Sequence, residues 1–426
     1  MARFVKASWP GASRLSGLSN RDRKGCDYQA YIPDPLVGRP VSLSGPEAAD
    51  VADAERAIID LDRSSAALAN TEALARLLLR AESVNSSKIE GLEVSPRRLL
   101  RADVARAHGE DPRDVTATEV LGNIDAMNYA IDSMSYGSAF SVDLLLEVHR
   151  RLLEPTPLAK IGGVIRTQQN WIGGSSYNPC SASYVPPPPE LVYDLLVDLC
   201  NFCGSETLPT VVQAALAHAQ FEAVHPFADG NGRVGRALIH MIFRRRRLTT
   251  SITPPISLIL ATIAKDYIQG LKAMCYVGKP TSAQAVEGFN RWIATFASAC
   301  SRAVSDSLAF ERRIDDLQAQ WRTRVGRVRA DSVVFRLIEA LPGTPLVTAA
   351  GVKAMLDTSL PSAILAIDRL VRADVLRPST ARQRRQVYEA REVLHLFTNL
   401  ERQLASPTGN TVSARPVRIV PAKAKR

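Results

Sequence analysis

The chain has 426 residues, 46% hydrophobic and 23% charged, an ordinary globular composition that excludes a collagen-like fibre, a disulfide miniprotein or disorder throughout. Aromatics are sparse at 6% and Ala and Leu are plentiful, which favours helix over a β-sandwich. The net charge of +10 sits at the ends: residues 1–26 carry six basic residues against Asp22, and residues 411–426 carry five and no acid. Two solvated basic tails account for the charge without a nucleic-acid surface.

Cys200 and Cys203 form a lone CxxC with no second pair at zinc spacing, so neither a metal nor a redox site is expected. No run approaches the ~18 apolar residues of a membrane span. The N-terminus lacks the apolar stretch of a signal peptide. The expectation is a cytoplasmic protein with reduced thiols and no membrane partner.

In chain order, residues 1–30 lack periodicity and read as a flexible basic arm, and Tyr31 to Leu36 as an extended segment. Apolar spacing predicts helices from Pro46, over 72–90, 96–108, 116–134 and 141–154. Between Gly163 and Pro186, β-formers and glycine pairs replace the helical period, and a surface β-hairpin is expected. Helices resume at 190–203, 210–224, 233–247, 262–273 and 284–310, followed by a charged connecting helix over 311–330. Residues 331–405 show a helix, a helix-turn-helix and a short hairpin around the basic loop Arg382 to Arg385, the order of a winged helix. Residues 406–426 read as a disordered basic tail. The expected fold is all-α: an N-terminal region over 31–110, a helical core over 111–310 with a hairpin flap, and the C-terminal winged helix.

Chemistry concentrates in His225-Pro-Phe-Ala-Asp229-Gly230-Asn231-Gly232-Arg233-Val-Gly-Arg236. Gly230, Gly232 and Gly235 match GxGxxG, but a helical run precedes them and no acid appears until Asp266, so a dinucleotide fingerprint is excluded. Glu222-Ala-Val-His225 and Glu392-Val-Leu-His395 share a di-metal spacing but lie in separate units. No P-loop occurs. What remains is a helix end, a glycine turn and a new helix whose first N–H groups form an anion site. Gly230 and Gly232 allow close approach, the Asn231 amide adds a donor, and Arg233 and Arg236 share the first turn. Asp229 is a hard oxygen ligand placed to hold Mg²⁺ against phosphates. His225 has the near-neutral reference pKa of a general base. These parts suit attack by a hydroxyl on a nucleotide phosphate.

HPFADGNGRVGR is the signature of the Fic domain, and the chain resembles Fic-domain protein adenylyltransferases of the Fic/Doc family along most of its length. The resemblance implies transfer of AMP from ATP to Ser, Thr or Tyr hydroxyls of a target protein or of the chain itself. It assigns His225 as base, Asp229 to Mg²⁺, and Gly230, Asn231, Gly232, Arg233, Arg236 and Tyr267 to ATP and its phosphates. Ile172, Gly173 and Gly174 would edge a flap on which an unknown target adds as a strand. Ser86-Ser-Lys-Ile-Glu90-Gly91 matches the family's inhibitory motif: Ser86 and Glu90 share a helical face, and Glu90 would pair with Arg236. Another nucleotide donor, or removal of AMP, remains open. A DNA-binding regulator is the alternative of a different class, with the 362–373 helix and Arg382 to Arg385 on DNA. A docking or homodimerising winged helix is equally compatible.

Overall fold

A computed structural model describes residues 1–11, 19–66, 71–107, 109–379 and 386–404. The chain opens with β1 (Arg3–Trp9) and β2 (Cys26–Ile32), paired antiparallel with Arg3 opposite Ile32 and Trp9 opposite Cys26. A one-turn helix, α1 (Asn20–Arg23), lies between them. The described part of residues 1–30 is therefore a strand pair and not a flexible arm. Phe4, Trp9, Tyr28 and Ile32 supply β-propensity that the flanking Ser, Gly and Arg obscure.

The strand pair is fastened at its edges. Ala2 bridges to Gly278, and Cys26 is disulfide-bonded to Cys180. The expectation of reduced thiols is corrected at that pair, which a sequence separation of 154 conceals. Cys200, Cys203, Cys275 and Cys300 are free thiols.

The helical body comprises α2 (Gly45–Ala66), α3 (Thr71–Ile89), α4 (Pro96–Ala107), α5 (Val115–Asp132), α6 (Val142–Leu153), α7 (Val192–Gly204), α8 (Thr210–Val224), α9 (Asn231–Arg245), α10 (Ile256–Thr262), α11 (Ala264–Ala273) and α12 (Ala283–Val325). α8 is apolar on nearly every side, which in a soluble fold means a central helix. It is buried from Thr210 to Phe221 and packs against α7, α9 and α12. Asp114 caps α5 through the Ala117 N–H, 3.1 Å. The helix expected over 262–273 is α11, and α10, which was not expected, precedes it across Ile263. No break occurs near 310: α12 runs 43 residues, because buried Phe310, Ile314, Leu317 and Trp321 carry the apolar stripe through the charged stretch. Among the described residues no single helix is long and apolar enough to cross a membrane.

The segment expected as a hairpin holds one antiparallel bridge, Ile172 to Tyr184, and one 3₁₀ turn, at Pro179–Ser181. Gly173 and Gly174 both have positive φ, and Pro179 and Pro186 cannot donate to a ladder. The flap is thus a compact loop. C-terminal to α12 come α13 (Val333–Ala340), β3 (Leu346–Val347), α14 (Ala349–Met355), α15 (Leu360–Arg372), β4 (Arg377–Pro378), β5 (Tyr388–Glu389) and α16 (Arg391–Leu404). The strands form one antiparallel sheet in the order β3-β5-β4. Trp321, Leu337, Ile367 and Leu370 centre a second core beneath it. β3 and α16 went unanticipated; a strand of two residues carries no periodicity to read. The basic loop Arg382 to Arg385 and the 406–426 tail lie outside the described residues.

α11 and α12 meet at backbone distance. A methyl group at Gly288 would stand 2.0 Å from the Ala273 carbonyl oxygen. Gly288→Ala is expected to destabilise the protein by about 1–3 kcal/mol, read as a lower urea midpoint. An unchanged midpoint would contradict this close approach.

Candidate active site

α8 ends at His225, whose backbone is left-handed (φ 48°), and α9 begins after Gly230 (φ 81°). The intervening loop is held from three directions. Asn231 closes it internally: the Phe227 N–H donates to Asn231 Oδ1 and Asn231 Nδ2 donates to the Phe227 carbonyl, both at 2.8 Å. Phe227 is fully buried and stacks on the His149 ring at 3.7 Å. The Gly163 N–H donates to His149 Nδ1, 3.0 Å, which places the ring proton on Nε2, 3.0 Å from the Asp229 carbonyl. Arg166, 5% exposed, donates Nε to the His225 carbonyl at 2.8 Å and Nη2 to that of Pro187 at 2.6 Å.

Sequence reasoning missed His149 and Arg166 as positioning residues. Both come from outside the motif, and only the tertiary fold brings them to it. Asn231 was expected on phosphate; its side chain bonds the Phe227 backbone, and its backbone N–H lies at the helix start. Tyr267 is buried, with its hydroxyl 2.8 Å from His218 Nε2, and is not among the residues lining the cleft.

The cleft, about 720 Å³ including its open mouth, is lined by His225, Asp229, Gly230, Gly232, Arg233 and Glu90 among others. Arg233 Nη2 donates to Asp229 Oδ1 at 2.7 Å. Its buried Nε and Nη1 have no partner among the described residues, so the side chain retains donors for an anion. The first N–H groups of α9 point the same way.

α3 approaches α9 through small residues: Ser83, Ser86 and Ser87 are all fully buried. Asn123 on α5 pins it by donating to the Ser83 carbonyl at 2.7 Å and Ser87 Oγ at 3.1 Å. Gly91 (φ 83°) ends the helix, its N–H donating to the Lys88 carbonyl at 3.0 Å, a C-cap that places Glu90 at the tip. Arg236, 1% exposed, donates Nε to Ser86 Oγ at 2.9 Å and Nη2 to the Ser86 carbonyl and Glu90 Oε1, both at 2.7 Å. A methyl group at Gly232 would stand 1.9 Å from Glu90 Oε1. The Glu90 carboxylate therefore lies on the N-terminal turn of α9, where the anion site was expected. Burial opposes its ionisation, but the Arg236 guanidinium outweighs this and holds its carboxyl below the usual range.

Burial lowers three imidazoles: His225 to about 4, with the Arg166 charge adding to the effect, His149 to about 4 and His218 to about 3. Buried Glu222 is pushed up to about 7 by desolvation, which Arg236 only partly offsets. In the unfolded chain the rings protonate near 6.5, so the stability they contribute is lost as pH falls from about 6.5 towards 4. Histidine NMR should find all three neutral at pH 5. A His225 that protonates near 6.5 would contradict its burial.

Residues 139–243 match the Fic/DOC family and residues 48–132 the Fic/DOC family N-terminal region. The chain is 35% identical over 154 residues to protein adenylyltransferase fic-1 of Caenorhabditis elegans, covering 35% of this chain and 27% of that protein. It is 33% identical over 139 residues to protein adenylyltransferase Fic of Drosophila melanogaster, covering 32% and 26% respectively. It thus spans about a quarter of the length of the curated relatives it matches. A crystal structure of a Fic family protein from Desulfovibrio desulfuricans G20 aligns with 83% of this chain and 98% of its own, at a TM-score of 0.50 and 19% identity, which is likeness of fold. Over its two matched regions, and in the loop from His225 to Arg236 that the first of them contains, the chain is similar to the Fic/DOC family.

Proposed function

We propose that the protein transfers AMP from ATP to a hydroxyl of a protein substrate, Ser, Thr or Tyr, and that Glu90 restrains the reaction. The relatives named as protein adenylyltransferases support the reaction class. The Glu90 carboxylate seated on the first turn of α9 carries the restraint. An acid held there by Arg236 occupies an anion's place, and a polyphosphate must displace it to gain the same donors.

The chain's groups divide the work. Neutral His225 is in the form that accepts a proton. The substrate oxygen bonds to the α-phosphorus, the bond from that phosphorus to the bridging oxygen breaks, and pyrophosphate leaves as the hydroxyl proton passes to His225. Arg233 and the α9 N–H groups bind the phosphate oxygens, and Arg166, His149 and Asn231 keep the loop in shape. Asp229 fits Mg²⁺: it is a half-exposed carboxylate at the cleft mouth, and Mg²⁺ typically takes one or two carboxylates plus substrate phosphates. Bound there, the ion would neutralise charge on the polyphosphate. The flap edge at Ile172, Gly173 and Gly174 is the docking surface for an extended target segment; Ile172 is 41% exposed.

The C-terminal unit fits a winged helix in its order of helix, strand, two helices and two strands. The alternative of a DNA-binding regulator requires that unit to hold DNA.

Wild type, Glu90→Gly, His225→Ala and the double variant, incubated side by side with α-labelled ATP and Mg²⁺, test the proposal. Glu90→Gly should raise AMP transfer, self-modification included, about tenfold or more, equivalent to about 1.4 kcal/mol. Equal labelling of wild type and Glu90→Gly would refute the restraint. His225→Ala should be inactive in both backgrounds, and retention of activity would remove it as the base. Ser86→Ala leaves Glu90 in place but takes one acceptor from Arg236, so a smaller activation is expected in the same assay. Activity that survives EDTA would remove Mg²⁺ from the scheme.

A further inference from the structure

Two glutamates bear on the first turns of α9, each at a glycine. Glu90, from α3, comes at Gly232. Glu222, on the last turn of α8, comes at Gly235: a methyl group there would stand 3.0 Å from Glu222 Oε1 and 3.2 Å from His218 Nδ1. Gly232 and Gly235 are three residues apart and so lie on one side of the helix, and Arg236 follows directly. The two acids are partnered unequally. Glu90 accepts from Arg236 Nη2 at 2.7 Å, whereas Glu222 Oε1 is buried and has no hydrogen-bond partner among the described residues. A bare buried carboxylate oxygen is costly when charged, and nothing in the proposed reaction uses it. The charges of Glu90 and Glu222 both act on Arg236, yet one guanidinium is balanced by one anion.

We propose that Glu222 is a positioning residue for Arg236, its reserve counter-ion: it is a neutral acid while Glu90 is seated, and it ionises to hold the guanidinium in place when Glu90 is displaced. This rests on the restraint by Glu90 argued above. Burial pushes the Glu222 carboxyl up to about 7; the Arg236 charge opposes this and the Glu90 charge adds to it. Such coupling is reciprocal. An ionised Glu222 therefore weakens the seat of Glu90, and loss of Glu90 makes Glu222 the stronger acid. Its proton passes to solvent, and Arg236 keeps one balancing charge in the interval between Glu90 and an incoming polyphosphate. The other titratable groups around Glu222 hold their charge across this range. Burial lowers His218 and His225 on α8 to about 3 and about 4. It raises Tyr267 on α11 and Tyr184 of the flap loop. Arg236 stays a cation, and against its own burial Glu90 is held below the usual range by Arg236. Between about pH 5.5 and about pH 8, the charge that changes in this cluster is that of Glu222.

Urea unfolding of wild type, Glu90→Gln, Glu222→Gln and the double variant, at about pH 5.5 and about pH 8, tests the proposal without recourse to AMP transfer. Glu90 is charged at both values in wild type, so the stability lost on Glu90→Gln reports what charge Arg236 has left. The loss should be about twofold smaller, or less still, at the higher pH, where Glu222 replaces the missing anion. In the Glu222→Gln background it should be equal at the two values. AMP transfer gives a second readout: the rate of wild type relative to Glu222→Gln should rise about threefold or more from the lower pH to the higher, as ionised Glu222 loosens Glu90. An equal loss at both pH values with Glu222 present, or a pH dependence that survives Glu222→Gln, would overturn the proposal. So would a measurable transfer ratio that does not change with pH. A Glu222→Gln that cannot fold would also overturn it, because it would show that the charge is needed while Glu90 is seated. Absence of AMP transfer even from Glu90→Gly would refute the proposed function and leave the unfolding comparison to decide this inference.

Discussion

A guanidinium in the protein interior needs compensating charge and hydrogen bonds, and in this fold that need falls on Arg236. A lone buried cation carries a desolvation cost that its neighbours must repay. Two of its three short bonds go to Ser86 and the third to Glu90, all on α3. The arginine belongs to the first turn of α9, beside Gly230 and Gly232. The same charge thus joins α3 to the anion-binding turn and decides which anion sits there. Under the proposed function, relief of restraint is an exchange of acidic partners on Arg236 without its exposure to water.

That exchange is constrained by how α3 is mounted. Its middle is fixed by Glu82, fully buried, which accepts from the Ser257 N–H at 2.7 Å and lies 3.0 Å from His240 Nε2. Its start lies against the C-terminal unit: a methyl group at Gly343 would stand 3.0 Å from Ala73 Cα. Beyond its end, Arg97 on α4 reaches Glu389 on β5 at 2.8 Å. The C-terminal unit therefore touches the chain on both sides of Glu90. Helix α3 is a fixed strut in this arrangement, and the backbone of its tip is held as well, the Glu90 and Leu92 N–H groups both donating to the Ser87 carbonyl at 3.1 Å. Rotation of the Glu90 side chain, rather than movement of the whole helix, is the motion these contacts leave open.

Legibility in the sequence followed distance along the chain. The loop from His225 to Arg236 could be read because every element of the anion site lies within twelve consecutive residues, and helix termination, glycine turn and helix start are local physics. The i,i+4 relation of Ser86 and Glu90 was equally local, and with Gly91 it located a helix tip. Most helices were visible from apolar spacing. His149 and Arg166 were invisible because each acts on the loop from another segment, and an isolated His or Arg carries no pattern. Asn231 shows a related difficulty: donors at a helix start look alike in sequence, whether they face a ligand or close their own turn. The Cys26–Cys180 pair, joining segments 154 residues apart, had no local signature at all.

The N-terminal strand pair shows what such distant contacts do for the site. Trp9 on β1 meets Trp171 edge-on at 5.2 Å. Asp22 accepts from Ser175 Oγ at 2.5 Å and from Asn178 Nδ2, through its carbonyl, at 3.0 Å. With the disulfide, these contacts bind the flap loop along much of its length to a second element. A loop with a single backbone bridge has little ladder energy of its own, so its shape comes from these side-chain ties. The left-handed Gly173 and Gly174 are packed on Ser183 and Ser181, where a Cβ would stand within 2.5 Å of a serine oxygen. The loop is consequently preorganised: an extended segment adding at its edge, as proposed, would meet backbone already ordered, and the entropy of shaping that loop has been met in folding rather than in binding.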